Sequence, residues 1–460
     1  MPATDLVVVL PGIMGSTLTQ NGKPVWAPSA GSVLRAIRTF GTSITALQLP
    51  DDLGDEHPGD NVQATALMPD LHLLPGIWTP VKGYDRLLAR LRALGYHPSS
   101  GKDAPPANLL PLPYDWRLSN RYNARALAGT IEDALERLQS RGGPYADAKV
   151  VFVCHSMGGL VARWYIEHCG GASITRKLIT LGTPYRGAAK ALDQLLNGVH
   201  PGIGRLGIDL TDFARSLPSI HQLLPEYACI QRSSTEPLLK TTETSLPDLS
   251  STRLADAMRF HTDLFAAEKA RPASGPMTHA ILGIGHNTPT TLRLTDKGAE
   301  LLDTLGPDNH YGDGTVPLVA AARPDVLMDS NQLRRVPDKH GNLQRNPAAL
   351  DELEGILTAK SISVRNPHQI TPNVDTPDLV LASQALSVDI TLPSDTHHPV
   401  LITLTDENEH PLDTRMPPLT RGHITTAFDG LPPGAYHVVV TGPDATSPLA
   451  PITSTTLVWE

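Results

Sequence analysis

A run of four apolar residues, Val150 to Val153, leads into Cys154-His155-Ser156-Met157-Gly158-Gly159, and helical spacing follows. A serine at the apex of a sharp strand-to-helix turn has its hydroxyl held clear of the sheet, where it can attack an acyl carbon. The residues two before and two after such a serine must be small, because strand and helix pass close together. Gly158 meets that demand. Cys154 stands where glycine is more usual; it is expected to pack back into the sheet, not to act as a nucleophile. His155 is too close in sequence to face the same atom as Ser156, and is expected to be structural or to line the substrate site.

A serine hydroxyl needs a base, and the base needs a carboxylate to orient it. Where the nucleophile sits on this kind of turn, the chain order is Ser, then Asp or Glu, then His. Gly312-Asp313-Gly314-Thr315-Val316-Pro317 offers a glycine-flanked aspartate just beyond an expected strand. His340, in Asp338-Lys339-His340-Gly341-Asn342-Leu343, is the only histidine between Asp313 and a proline-containing linker at 366–378. His368 lies in that linker, and His397, His398, His410, His423 and His437 follow it. Ser156, Asp313 and His340 are therefore the expected catalytic residues. The oxyanion formed in acyl transfer needs backbone donors. The N–H of Met157, just after the serine, is one, and the loop Leu10-Pro11-Gly12-Ile13-Met14-Gly15-Ser16 is the natural source of the other. Gly12 and Met14 of this loop, with His155, are expected to bind substrate.

The elements around these residues alternate. Leu6–Leu10, Leu109–Leu112, Val150–Val153, Leu178–Leu181 and Ala280–Ile284 read as short buried strands. Tyr84–Leu94, Ala124–Leu138, Gly158–Glu167 and Ala348–Leu357 carry apolar residues at helical spacing. Strands alternating with amphipathic helices predict a mostly parallel α/β sheet. With the serine turn, they predict the α/β-hydrolase fold over residues 1–365, with a cap inserted at about 190–275. After about residue 365 the texture changes to short alternating runs such as Ser387–Leu392, Val400–Leu404, Tyr436–Val440 and Thr455–Trp459, separated by turn clusters. Residues 379–460 are expected to form an all-β sandwich of the immunoglobulin-like kind.

Composition narrows the function. The chain has 460 residues with a net charge of −9, and 40% of its residues are hydrophobic. That is enough apolar material for a large core, and the acidic balance argues against a nucleic-acid partner. Three cysteines, Cys154, Cys169 and Cys229, cannot build a disulfide framework. No metal-ligand spacing, P-loop or dinucleotide fingerprint is present, so neither a cofactor nor a metal is expected. The N-terminus lacks the pattern of a signal peptide and no run is long enough to span a bilayer, so a cytoplasmic location is expected.

Five motifs together resemble the lecithin:cholesterol acyltransferase family, which includes lysosomal phospholipase A2 and phospholipid:diacylglycerol acyltransferases. They are Pro11–Ser16, Pro113-Tyr114-Asp115-Trp116-Arg117, His155–Gly159, Leu181-Gly182-Thr183-Pro184 and Gly312–Pro317, in that order. The resemblance covers about residues 5–360. It implies a Ser156–Asp313–His340 triad, an oxyanion hole from the N–H groups of Ile13 and Met157, and structural roles for Asp115 and Trp116. It also implies a lid that starts around Trp26–Leu53 and reaches about residue 80. The expected function is hydrolysis or acyl transfer on lipid esters such as phospholipids or acylglycerols, with peripheral contact to a lipid surface. The alternatives are a soluble carboxylesterase for small non-lipid esters, and a non-catalytic binding protein acting through the C-terminal β-domain, whose partner is unknown.

Overall fold

The computed structural model describes residues 3–27, 47–69, 83–98, 106–199, 209–272, 274–295, 298–326, 330, 332–358, 370–392, 398–420, 422–444 and 447–459. Its centre is a parallel sheet of six strands: β1 (Leu6–Leu10), β2 (Leu109–Pro111), β3 (Val150–His155), β4 (Thr175–Leu181), β5 (Met277–Ile284) and β6 (Leu333–Pro337). Their spatial order is β6-β5-β4-β3-β1-β2, with every neighbouring pair parallel. Every residue of β1 and β3 is buried. A strand covered on both faces needs no polar alternation, which is why these two read as continuous apolar runs. The helices of the core and its cap include α1 (Asp85–Ala93), α2 (Asn120–Gln139), α3 (Gly158–His168), α4 (Ser251–Ala270) and α5 (Pro347–Thr358). This is the α/β-hydrolase fold.

The sheet has one strand that the sequence does not announce, and one expectation needs correction. β6 reads Leu-Arg-Arg-Val-Pro and buries only Val336, so as an edge strand it gives no apolar run to find. Nor does a strand of the parallel sheet end just before Asp313, which lies in the long excursion between β5 and β6. Thr304–Leu305 and Asp308–Asn309 pair only with each other, and the Asp313 turn is tied down instead by bridges from Gly312 to His286 and to Pro317.

Between β4 and β5 the chain forms the cap helices Ala189–Asn197, Thr211–Ser216, Pro218–His221 and α4. A buried ion pair joins cap to core: the Arg163 guanidinium of α3 donates to both carboxylate oxygens of Glu268 in α4, at 2.7 and 3.0 Å. Much of the stretch expected to be a lid, 28–46 and 70–82, lies outside the described residues. The described part is fixed to the core. Val62–Leu67 pairs antiparallel with Ser16–Gln20. Arg117, fully buried, holds Asp115 at 2.7 Å, Asp60 at 2.8 Å and the Leu47 carbonyl at 3.0 Å. Trp116 donates to the Ser16 carbonyl and meets Trp26 edge to face. Asp115 and Trp116 thus belong to the scaffold beneath the first loop.

The C-terminal strands form two sheets around a second apolar cluster, separate from the main core. One contains Asn373–Asp375, Leu386–Thr391 and His423–Phe428; the other contains Leu379–Leu381, Leu401–Thr405, Pro411–Arg415, Gly434–Thr441 and Ile452–Trp459. In the first sheet Leu386, Val388 and Ile390 are buried while Ser387 and Asp389 face solvent, as a two-layer sandwich requires. Asn373–Asp375 falls within the stretch read as linker and pairs with Leu386–Thr391, so the β-structure begins before residue 379. Residues 366–369 of that stretch and His397 lie outside the described residues.

Candidate active site

Ser156 sits between the end of β3 and the start of α3 with φ at +51°, a left-handed conformation that non-glycine residues rarely adopt. Its own backbone is pinned on both sides. The Ser156 N–H donates to the Leu181 carbonyl at 2.9 Å, and the Thr183 hydroxyl donates to the Ser156 carbonyl at 2.8 Å. These bonds offset the strain of the turn. A Cβ on Gly158 would come within 2.4 Å of the Pro11 carbonyl oxygen and 2.7 Å of that of Leu10. Only glycine lets the helix pass over the end of β1 this closely. Cys154 lies inside the sheet, and burial pushes its thiol well above the ordinary range, as fits an inert packed side chain.

His340 comes from a short 3₁₀ turn just after β6. Its Nε2 lies 2.8 Å from the Ser156 hydroxyl oxygen, and its Nδ1 lies 2.7 Å from Asp313 Oδ2. The other carboxylate oxygen of Asp313 accepts the N–H groups of Thr315 and Val316 at 2.9 and 2.7 Å. The His340 N–H donates to the Asp313 carbonyl at 2.8 Å. All three side chains are buried. Ser156, His340 and Asp313 are thus brought from three separate loops at the C-terminal ends of the strands, where open α/β sheets place their sites.

The loop after β1 lies against the serine. A Cβ on Gly12 would stand 2.9 Å from the Ser156 Cβ, so this position too requires glycine. Ile13 is half-buried at the rim of the core, and Met157 caps the start of α3. Among the described residues, no protein acceptor takes the N–H of Ile13 or of Met157. Two of the residues expected to bind substrate are buried. Met14 adopts φ +60°, which turns its side chain into the core at 1% exposure, and its carbonyl accepts the Trp26 indole N–H at 2.9 Å. It packs the loop against the core. His155 also is buried, with both ring nitrogens engaged by protein groups.

The partners of His155 fix its tautomer. The Gly12 N–H donates to the Tyr84 hydroxyl at 2.8 Å, and that hydroxyl donates to His155 Nδ1 at 2.9 Å. His155 Nε2–H then donates to the His340 carbonyl at 3.1 Å. Burial first, and the neighbouring His340 second, push His155 down to about 3, so it stays neutral and can hold this chain of bonds. The chain ties the first loop, the serine turn and the His340 turn together. Tyr84 was not legible as a site residue. It carries no motif, and the bond it makes spans 71 residues of sequence.

Among the described residues, no cluster of His, Cys, Asp and Glu is arranged to hold a metal ion, and no helix is long and apolar enough to cross a membrane.

The fold defines the class as α/β-hydrolase. Within that class, residues 79–266 match the family model of Lecithin:cholesterol acyltransferase, so the resemblance read from the motifs is shown over that stretch. The match contains Ser156 and stops short of Asp313 and His340. An uncharacterised protein of Saccharomyces cerevisiae is 29% identical over 184 residues, which are 39% of this chain and 23% of the yeast protein. The matched part thus spans less than a quarter of that relative. Two crystal structures of a Bacillus licheniformis lipase are also similar. The mature form is 12% identical, covering 78% of this chain and 93% of the lipase; the propeptide form is 11% identical, covering 99% and 94%. Both give a TM-score of 0.35.

Proposed function

We propose that this protein is a serine esterase or acyltransferase acting on lipid esters. The observation that carries the reading is the His340 ring, bonded at 2.8 Å to the Ser156 hydroxyl and at 2.7 Å to Asp313. In the proposed reaction His340 Nε2 takes the Ser156 proton as the serine oxygen attacks the acyl carbonyl. Asp313 holds the ring by Nδ1 and stabilises the imidazolium that forms. The N–H groups of Ile13 and Met157 stabilise the oxyanion. The imidazolium then returns its proton to the departing alcohol, leaving the acyl group on Ser156. Water or an acceptor alcohol attacks that ester with His340 again as base, which regenerates the serine. The lipid class of substrate is supported by the match to the acyltransferase family over the stretch containing Ser156.

The test is turnover of p-nitrophenyl esters from short to long acyl chains, below and above their micellar threshold, and of phospholipid vesicles. Long-chain preference with activation at the lipid surface is the expected result. Turnover of short esters alone would move the reading to a small-ester carboxylesterase. No turnover of any ester by the folded protein would overturn it.

A further inference from the structure

The C-terminal sheets touch the hydrolase core at the two loops that carry His340 and Asp313. His340 faces Ser156, while Lys339 and Asn342 face the C-terminal sheets. The Lys339 ammonium has three donors, and three acceptors surround it: the Thr376 carbonyl at 3.0 Å, the Thr376 hydroxyl at 3.1 Å and Asp378 Oδ1 at 3.0 Å. On the far side Asn342 Nδ2 donates to the Thr455 hydroxyl at 3.2 Å and to Asp338 Oδ1 at 2.9 Å. The Asp313 turn is reached through His286. The His286 ring Nδ1–H donates to the Val374 carbonyl at 2.7 Å, and the His286 backbone pairs with Gly312 in both directions, at 3.0 and 3.1 Å.

The holding segment is itself held. The Leu457 N–H donates to the Asp378 carbonyl at 2.9 Å, the Thr456 hydroxyl to the Pro377 carbonyl at 2.7 Å, and Thr376 shares a hydroxyl–hydroxyl bond with Ser454. Residues 376–378 therefore lie fixed along the strand Ile452–Trp459. Burial alone would raise the Asp378 carboxyl, but Lys339 and Lys190 outweigh it and keep it well below the usual carboxylate range. The two lysines share one carboxylate from different places. Lys339 precedes His340, whereas Lys190 belongs to the cap helix Ala189–Asn197 and reaches Asp378 at 3.3 Å.

We propose that the C-terminal sheets are a positioning element of the active site: the segment Val374–Asp378 fixes the His340 turn through Lys339 and the Asp313 turn through His286. β6 needs this help because, among the described residues, it is an edge strand with one neighbour. The proposal rests on the reading of His340 as the general base. A misplaced base slows proton removal from Ser156 without unfolding the protein, and a displacement of about 1 Å can cost on the order of a hundredfold.

The experiment is the rate constant for fluorophosphonate labelling of Ser156 in the full chain, with the melting temperature of each variant recorded alongside. Lys339→Met is expected to label at least about tenfold more slowly, and Lys339→Arg to recover part of that rate. Lys190→Met removes a bond to the same carboxylate but none to the His340 turn, so its labelling is expected to stay within about twofold of wild type. Should Lys339→Met fail to fold, Asn342→Ala is the milder variant, with a loss of about threefold expected. Wild-type labelling rates in the folded Lys339 or Asn342 variant, or equal slowing by Lys339→Met and Lys190→Met, would overturn the positioning role alone. A wild-type protein that does not label at Ser156 would overturn the catalytic reading, and this proposal with it.

Discussion

The turn carrying Ser156 and the turn carrying His340 are built on opposite plans. The serine turn joins a central, fully buried strand to a buried helix, and every group that shapes it lies in the core: the Leu181 carbonyl, the Thr183 hydroxyl and the backbone of Leu10 and Pro11. The histidine turn hangs from an edge strand and is shaped by groups from distant parts of the chain. Tyr84 and His155 brace it on one side, and Thr376, Asp378 and Thr455 brace it on the other. A serine that must keep a strained backbone needs rigid local surroundings. A ring that must only present one nitrogen can be aimed from outside, and it then depends on whatever does the aiming.

Four changes sharpen or break that contrast. The largest effect is expected from Asp313→Asn. The amide can favour the wrong tautomer of His340, and ester turnover should fall on the order of 10⁴-fold while the fold survives. Steady-state kinetics check this, and turnover near wild type would remove Asp313 from the triad. Gly158→Ala attacks the serine turn through its backbone. The new Cβ meets carbonyl oxygens that cannot move aside, so unfolding by urea should show a loss of about 3 kcal/mol together with loss of labelling.

Acid probes both turns through neutral buried histidines. Burial, with His340 next, pushes His155 down to about 3; burial, with Lys339 next, pushes His286 down to about 4. The unfolded chain protonates these rings near the ordinary value of 6.5, whereas the folded chain does not. The stability they contribute is therefore complete above that value and is lost as pH falls toward about 4, at about 1.4 kcal/mol per pH unit for each ring. Calorimetry from pH 8 to pH 4 should show a flat melting temperature above about pH 6.5 and a steep decline below it. The buried His221 and His261 and the half-buried His279, pushed down in the same way, add their share to that decline; the part due to the two turns is what His155→Gln and His286→Gln remove. A flat profile throughout would mean that these rings are charged in the fold. The smallest effect is expected from Tyr84→Phe. It leaves the Gly12 N–H and His155 Nδ1 without their shared hydroxyl, at about 1–2 kcal/mol of stability. It should disturb the first loop and the histidine turn together, which a drop in both melting temperature and labelling rate would report.

The same contrast explains what could be read from sequence. The serine turn was legible because its requirements are local: an apolar strand, small residues at fixed offsets and a helix beyond. His340 was reached by elimination, since nothing in Asp338–Asn342 announces that Lys339 and Asn342 point away from the site. β6 leaves no signal because an edge strand with two arginines carries no apolar run. Met14 stands in a glycine-rich loop beside the serine, and nothing in the sequence announces the positive φ and the Trp26 bond that go with its place in the core. The link from Val374 and Asp378 to the His340 and Asp313 turns has no signal in the sequence. It joins residues 39 positions apart or more distant, by hydrogen bonds that leave no periodicity.

The central claim is that Ser156 is an activated nucleophile with His340 as its base. The most direct measurement is fluorophosphonate labelling of the purified protein, with the modified peptide mapped by mass spectrometry. The expected result is label on Ser156, none in Ser156→Ala, and labelling of His340→Ala slowed on the order of 10³-fold or more. Absence of label on the folded protein, or equal labelling of wild type and His340→Ala, would contradict the claim.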